Sequence, residues 1–383
     1  MTDLATARHI LDTLIGFDTT SRNSNLVLIA WVEEYLAQHG VAAQRVPNED
    51  GRKANLFATC GPFVEGGVIL SGHTDVVPID GQDWSSDPWV VREEGGRLFG
   101  RGVADMKGFI ALALAFVPRF VAGKLPVHLA LSYDEEVGCQ GAPSMIARMA
   151  ETIPQPRLAI VGEPSLMGII TGHKGIAVHE VTVRGHAAHS SLVDHGISAN
   201  AVAVELMHDL LALAEELRAR ADPANGFDPP QATLTVGVME GGTASNILAG
   251  HAHFQFDLRC PPGEDADAIL APFKQKCAAL DAELKGMFAD AGVRIEQHAS
   301  TPPMTPQGSD DAVAFVRALT GENTPPGQVA FAAEGGQFQA AGFPTVICGP
   351  GSIEQAHQPD EWIALDQLEK GTAFMARLAE RLG

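Results

Sequence analysis

The sequence has few cysteines, and they form no pattern that would define a framework or a metal site. Its five cysteines are an odd number, they are scattered along 383 residues, and none forms a C-x-x-C pair. This distribution argues against a disulfide framework and against a cysteine-rich zinc site. We therefore expect a chain that folds in a reducing compartment.

Long apolar runs and basic residues are also scarce. No run approaches the roughly 20 residues of a membrane span, and the stretch MTDLATARHILDTL has the pattern of an amphipathic helix rather than of a signal peptide. Lys and Arg number 26 against 47 Asp and Glu, a net charge of -21. Such a surface repels nucleic-acid phosphates and anionic lipids but tolerates metal ions and cationic small molecules. We expect a soluble cytoplasmic protein that binds neither nucleic acid nor membrane.

The order of helix and strand patterns changes twice along the chain. Up to about residue 177, continuous apolar strands such as GGVILSG and LAIVGEP alternate with helical stretches such as KGFIALALAFVPRFVAG, which indicates a mainly parallel sheet covered on both faces. Residues 178–298 contain alternating strands such as HAHFQFDLRC and two long helical stretches, as in a small antiparallel α+β domain. The sequence therefore predicts a doubly wound α/β domain, 1–177 and 299–383, interrupted by an inserted domain, 178–298.

Several predicted strands end in residues that bind metal ions. GGVILSG runs into His73 and Asp75, VHLALSY into Asp134, Glu135 and Glu136, LAIVG into Glu163, and FPTVICGPG into the loop of His357, while Asp105 lies in the glycine-rich turn GRGVADMKG. The carboxyl ends of parallel strands meet at one edge of a sheet, where α/β proteins build their sites. Carboxylates packed there are costly to desolvate unless cations compensate. A pair of divalent ions is the simplest compensation, and these ligands suit zinc, with cobalt or manganese as alternatives.

Taken one at a time, these residues have simpler interpretations. Considered by itself, Asp105 would be interpreted as a helix cap and the acidic triplet as a solvated turn. His357 would be interpreted as a surface residue in a Pro-containing loop. Together, those interpretations would have to explain why candidate metal ligands occur in five separate loops that are all expected at one edge of the sheet. The pattern as a whole therefore favours a metal centre.

Six motifs, in this order, resemble those of the M20 family of co-catalytic zinc amidohydrolases and peptidases: SGHTDVVP, GRGVADMKG, SYDEEVGCQG, GEP, GHAAHSS and GPGSIEQAHQPDE. The ending AEGGQFQAAGFPTVICGPGSIEQAHQPDEW most resembles the acetylornithine deacetylase subfamily. The resemblance implies a zinc-peptidase-like catalytic domain with an inserted lid and dimerisation domain, a homodimer, and removal of the acetyl group from N2-acetyl-L-ornithine in arginine biosynthesis. The alternatives are another N-acyl-amino-acid hydrolase, a succinyl-diaminopimelate desuccinylase, a di- or carboxypeptidase, or a non-catalytic metal-dependent binding protein.

The resemblance also implies how the ligands divide between two zinc ions per subunit. His73 and Glu163 would bind one ion, Glu136 and His357 would bind the other, and Asp105 would bridge the two.

The remaining catalytic roles are likewise implied by the resemblance. Asp75 would hold the His73 imidazole in the ligating tautomer, and Glu135 would be the general base. In the family a histidine of the inserted domain stabilises the oxyanion across a dimer interface. His189 in GHAAHSS matches it, and His186 is the competitor three residues earlier.

Five further residues are expected to bind substrate. Arg259, at the end of its strand, suits an α-carboxylate, because a guanidinium fork binds a carboxylate through two hydrogen bonds. Asn246 in GGTASNIL matches a family position that contacts substrate. Glu334, Gly335 and Gly336 are predicted to form a glycine loop that approaches the ligand, and we hypothesise that Glu334 favours a cationic side chain such as that of ornithine.

Overall fold

The computed structural model describes residues 2–383, which divide into two compact units. The first unit contains the chain up to His173 together with Met304–Gln328 and Ala333–Gly383. The second unit contains Lys174–Pro303 and Val329–Ala332. No helix within 2–383 is long and apolar enough to cross a membrane.

The helices and strands follow one another along the chain in this order: α1 (Asp3–Ile15), α2 (Leu26–Gln38), β1 (Ala43–Pro47), β2 (Ala54–Cys60), β3 (Val68–His73), β4 (Arg92–Glu94), β5 (Arg97–Phe99), α3 (Lys107–Ala115), α4 (Val117–Val121), β6 (Val127–Ser132), α5 (Ala142–Thr152), β7 (Leu158–Pro164), β8 (Ile170–His173), β9 (Gly175–Arg184), α6 (Ala199–Ala219), β10 (Thr233–Gly241), β11 (His251–Cys260), α7 (Ala266–Met287), β12 (Gly292–Thr301), α8 (Asp310–Thr320), β13 (Gly327–Val329), α9 (Gly335–Ala340), β14 (Thr345–Gly349), β15 (Trp362–Ala364) and α10 (Leu365–Leu382).

The first unit is built on an eight-stranded sheet of order β1-β2-β6-β3-β7-β14-β8-β13. Its central strands β6, β3, β7 and β14 are parallel, whereas β2 runs antiparallel to β6, and β8 runs antiparallel to β14. Every residue of the four central strands is buried, as their continuous apolar sequences predict. The predicted α/β fold with a mainly parallel sheet is confirmed.

Helix α3 packs onto this sheet so closely that all nine of its residues are buried. A Cβ atom at Gly162 of β7 would lie 2.1 Å from the ring of Phe109 in α3, so only glycine allows the helix to approach there. This contact places the start of α3, just after Asp105, beside the strand that carries Glu163.

The predicted helical stretch KGFIALALAFVPRFVAG is two helices, α3 and α4, rather than one. Pro118 lies in the first turn of α4, where its missing N–H leaves no broken hydrogen bond, and Phe116 lies between the two helices.

The second unit is a four-stranded antiparallel sheet of order β10-β11-β9-β12, against which α6 and α7 pack. Along β11 the residues alternate as predicted, with Phe254, Phe256 and Leu258 buried on the helix-covered face. At one edge of the sheet, β10 is exposed over most of its second half.

Candidate active site

The five predicted metal ligands lie together at the carboxyl ends of the parallel strands. His73 Nε2 is 2.9 Å from Asp105 Oδ1 and 3.9 Å from Glu163 Oε1. His357 Nε2 is 2.9 Å from Glu136 Oε2 and 3.4 Å from Asp105 Oδ2. Asp105 therefore directs one carboxylate oxygen towards each histidine, the arrangement that a bridging ligand needs.

The atoms of this cluster are suited to divalent cations. Single ligand atoms of His73, Glu135 and Glu163, and likewise of His73, Asp105 and Glu136, lie within 4.8 Å of one another. Glu163 Oε1 is buried and accepts no hydrogen bond from any residue in 2–383. The Nδ1 of His73 is 2.9 Å from the main-chain oxygen of Asp75, which can only accept, so Nδ1 carries the proton and, in the neutral imidazole, Nε2 is the unprotonated nitrogen that a metal ion requires. These residues fit a pair of metal ions.

The pKa shifts within the cluster also favour the binding of divalent cations. Burial and the nearby Asp105 raise the pKa of Glu136 to about 7, although its hydrogen bond with His357 opposes the rise. Burial and neighbouring carboxylates also raise the pKa of Glu163 well above the ordinary range. Hydrogen bonds to Asp105 and Glu136 raise the pKa of His357 to about 10. The cluster thus holds more carboxylates than its histidines neutralise, and it retains protons that a divalent cation would displace.

Residues 69–381 match the protein family described as Peptidase family M20/M25/M40. The chain belongs to this family. It is 33% identical over 386 residues to an acetylornithine deacetylase of Myxococcus xanthus, and the match covers 98% of this chain and 97% of that protein. The predicted resemblance to the M20 family is confirmed.

Solved structures of M20 proteins share the fold at lower sequence identity. An M20 family metallo-carboxypeptidase of Sulfolobus solfataricus superposes with a TM-score of 0.76 at 17% identity, covering 98% of both chains. The YXEP protein of Bacillus subtilis, described as a dinuclear metal-binding peptidase, superposes with a TM-score of 0.62 at 14% identity, covering 99% of both chains. Likeness at this identity establishes the fold.

In this M20 chain, Asp75 contacts its neighbours differently from the expectation. The main-chain oxygen of Asp75, not its carboxylate, lies at hydrogen-bond distance from His73, since Oδ1 is 3.7 Å from Nδ1. The carboxylate instead accepts from the main-chain N–H of Glu135 at 3.1 Å, the N–H of Glu136 at 3.3 Å and the hydroxyl of Ser21 at 2.7 Å. Because β3 ends at His73, Asp75 lies beyond the strand, and its side chain does not follow the alternation of β3.

The predicted base Glu135 lies within the cluster but has a partner that sequence reasoning missed. The Sγ of Cys139 is 3.2 Å from Glu135 Oε1. Burial raises the pKa of Glu135 well above its usual value, and the charge of Glu136 contributes in the same direction. A buried carboxylate with a raised pKa accepts a proton readily at neutral pH, as a general base requires.

The two lid histidines of the M20 resemblance, both in the second unit, have different partners. His186 Nδ1 is 3.1 Å from Asp290 Oδ1, and its ring stacks on Phe288 at 4.0 Å. His189 Nδ1 accepts from the main-chain N–H of Ser191 at 3.2 Å, so in the neutral imidazole the proton is on Nε2. His189 therefore presents a donor nitrogen.

Two of the predicted substrate-binding residues are also in the second unit. The main-chain oxygen of Asn246 accepts from the N–H of Ser190 at 2.9 Å, which places its segment beside that of His189. Arg259 is paired through Nε with Asp257 Oδ2 at 2.9 Å.

The predicted glycine loop at 334–336 is instead the start of a helix. Gly335 and Gly336 are buried in α9, and the N–H of Gly336 donates to His173 Nε2 at 2.8 Å. Glu334 is 1% exposed, and the hydroxyl of Ser71 donates to its carboxylate at 3.2 Å. The loop prediction was wrong because both glycines lie in a buried helical turn, where a Cβ atom at Gly335 would lie 2.7 Å from Met304 Sδ and 3.3 Å from the His173 ring.

Sequence reasoning also missed Arg101 and Glu361, a buried ion pair beside the cluster. Both belong to motifs that were recognised, GRGVADMKG and HQPDE. The available signal was one charged residue of opposite sign in each of two segments, both of which also contain a predicted metal ligand.

Proposed function

We propose that the protein is a metal-dependent deacetylase that hydrolyses N2-acetyl-L-ornithine to L-ornithine and acetate. The observation that supports hydrolysis is the cluster in which Asp105 lies between His73 and His357 with Glu135 beside it. The choice of substrate comes from a relative named acetylornithine deacetylase that is similar over nearly the whole chain.

Two zinc ions would be held by this chain's own side chains. His73 and Glu163 would bind one ion, Glu136 and His357 the other, and Asp105 both; cobalt or manganese suits the same ligands. When bound, the ions would supply Lewis-acid polarisation of the amide carbonyl and of the attacking water.

Glu135 would move the proton during hydrolysis. Its carboxylate shares the cluster with His73 and Glu163, so it reaches the water that attacks at that place. It would accept the water's proton and return it to the nitrogen of the leaving amine. Asp75 would keep Glu135 in place by binding its main-chain N–H.

The second unit would complete the site across a homodimer interface. His189 Nε2–H would donate to the oxyanion that forms on the acyl carbonyl. Support for a second copy comes from the open edge strand β10, on which Met239 is 52% exposed, and from α6, where Val204 and Leu211 are exposed one above the other. Another copy of this edge would cover these groups.

Recognition of the amino-acid part would involve Arg259 and Asn246. Arg259 would bind the α-carboxylate with the guanidinium nitrogens that its pairing with Asp257 leaves available. Free thiols at all five cysteines suit a reducing cytoplasm, where arginine biosynthesis would use the product.

The test is amine release from N2-acetylornithine, N-acetylcitrulline, N-acetylmethionine, N-succinyl-diaminopimelate and simple dipeptides, each with and without chelator. We expect the largest kcat/KM for acetylornithine, and its loss on chelation. A different winner would refute the substrate while retaining the metal-dependent hydrolase. Metal binding without turnover of any substrate would favour the non-catalytic alternative.

A further inference from the structure

A buried ion pair joins the two segments that carry Asp105 and His357. Arg101 and Glu361 are each 1% exposed, and Arg101 Nη1 is 2.9 Å from Glu361 Oε2. Neither residue is among the proposed ligands, and neither has a part in the chemistry proposed above. Replacing such a pair by apolar residues is often neutral or stabilising, so stability alone is a weak reason for its presence.

Both oxygens of Glu361 bind the main chain that leads to Asp105. Oε2 accepts from the N–H of Gly102 at 2.9 Å. Oε1 accepts from the N–H of Ala104 at 2.9 Å and from that of Asp105 at 3.1 Å. One carboxylate therefore binds three of the four N–H groups between residues 102 and 105, and the direction of the Asp105 side chain depends on that turn.

The same pair reaches the loop of His357. Arg101 Nη2 donates to the side-chain oxygen of Gln82, and Gln82 Nε2 donates to the main-chain oxygen of His357 at 3.1 Å. The side chain of His357 is 49% exposed and its φ is 62°, so neither burial nor a regular element holds it in place. Contacts from outside the loop must supply its position.

We propose that Glu361 is a positioning residue that, together with Arg101 and Gln82, holds Asp105 and His357 in the geometry that binds metal. The inference rests on the metal centre proposed above. Partners of this kind, one shell beyond the ligands, change metal affinity by about tenfold to hundredfold when they are mutated.

The test is Glu361→Gln in the 383-residue chain, stripped of metal and titrated with Co²⁺ while the visible absorption spectrum is followed. Glutamine keeps the size of the side chain but turns an NH₂ group towards main-chain N–H donors. We expect Co²⁺ to bind at least about tenfold more weakly, with shifted absorption bands that report altered ligand geometry. Glu354→Gln is the matched control, because Glu354 is exposed in the same loop and loses the same charge. It should behave as wild type.

A folded Glu361→Gln protein with wild-type Co²⁺ affinity and spectrum would overturn the inference. If that variant does not fold, Gln82→Ala takes its place, since it keeps the Arg101–Glu361 pair and removes the side chain that links Arg101 and the indole of Trp84 to the main-chain oxygen of His357. We expect Gln82→Ala to weaken the binding of one of the two Co²⁺ ions several-fold. Unchanged affinity for both ions would again overturn the inference. Wild-type protein that binds no Co²⁺ would refute the metal centre itself, which is a distinguishable result.

Discussion

The carboxylate of Asp75 binds the main-chain N–H groups of both Glu135 and Glu136, at 3.1 and 3.3 Å. These neighbouring glutamates have different proposed tasks, one as base and one as ligand. A single aspartate therefore orients both, while its main-chain oxygen orients His73.

Asp75→Asn is expected to lower turnover by about tenfold to hundredfold without removing metal. The variant keeps the main-chain oxygen that contacts His73, but it places an NH₂ group opposite N–H donors. Measuring kcat together with metal content after dialysis separates the two effects. Asp83→Asn, at an exposed position, is the control, and unchanged kcat in Asp75→Asn would show that these hydrogen bonds do not position the base.

Glu135→Gln is expected to retain both ions and to lose activity by about 10²–10⁴-fold, the usual contribution of a general base. Glu136→Gln should instead lose one ion, because it removes the carboxylate hydrogen-bonded to His357. Metal analysis and kcat of the two purified variants test this difference. Loss of an ion from Glu135→Gln would reassign that residue as a ligand, which its place beside His73 and Glu163 would accommodate.

His189→Ala is expected to lower kcat and kcat/KM equally, by about 10²-fold or more, since an oxyanion donor acts only in the transition state. His186→Ala should stay close to wild type, because His186 is paired with Asp290 and stacked on Phe288. The reverse order of effects would assign the oxyanion to His186.

Subunit mixing tests whether His189 acts across the dimer. Inactive His189→Ala and inactive Glu135→Gln protein, mixed and allowed to exchange, would form dimers in which one site has an intact base and receives His189 from its partner. We expect activity to return on mixing. No recovery, with exchange shown independently, would place His189 in the site of its own subunit.

Glu334→Gln tests whether Glu334 determines substrate preference. The sequence and the structure suggest different roles for this residue. The sequence suggests that Glu334 selects a cationic side chain, whereas the structure buries its carboxylate against Ser71. Because the carboxylate is buried, the substitution should change kcat/KM for acetylornithine and for acetylmethionine by the same factor. A changed ratio of their kcat/KM values would restore the selectivity hypothesis, with Glu354→Gln as the control for loss of one charge.

The sequence predicted the metal cluster because strand ends are visible in a local pattern. A continuous apolar run followed by His73 or Glu163 indicates both a buried strand and a candidate ligand at its end. The hydrogen bonds that position these ligands are not local. Glu361 binds the N–H of Gly102 across 259 residues, and Ser71 binds Glu334 across 263, so no short window contains either pair.

The two errors in the predicted elements differ in whether the local sequence contained a signal. The break between α3 and α4 had a visible signal in Pro118, which suits only the first turn of a helix. The helix at Gly335 had no such signal, because two glycines usually indicate a loop, whereas here a Cβ atom at Gly335 would lie 2.7 Å from Met304 Sδ and 3.3 Å from the His173 ring. Packing of this kind depends on residues that are distant in the sequence and meet only in the folded chain.

A buried histidine outside the cluster of proposed ligands predicts how stability depends on pH. His128 lies in the buried strand β6, with Nδ1 2.9 Å from Thr59 Oγ1. Burial lowers its pKa to about 4, whereas an imidazole in the unfolded chain has a pKa of about 6.5. Between these values only the unfolded chain binds the proton, so the stability that neutral His128 allows is lost as the pH falls from about 6.5 towards 4.

His128→Leu should therefore flatten the pH dependence of stability. Thermal unfolding of wild type and variant at pH 7.5 and 4.5, both metal-free in chelator so that metal release does not contribute, measures the difference. We expect the wild type to lose more stability than the variant on acidification, by up to about 3 kcal/mol. His208→Gln, on the exposed side of α6, should lose as much as the wild type. Equal losses in wild type and His128→Leu would mean that His128 takes up its proton in the folded protein, and that β6 tolerates a charged imidazole.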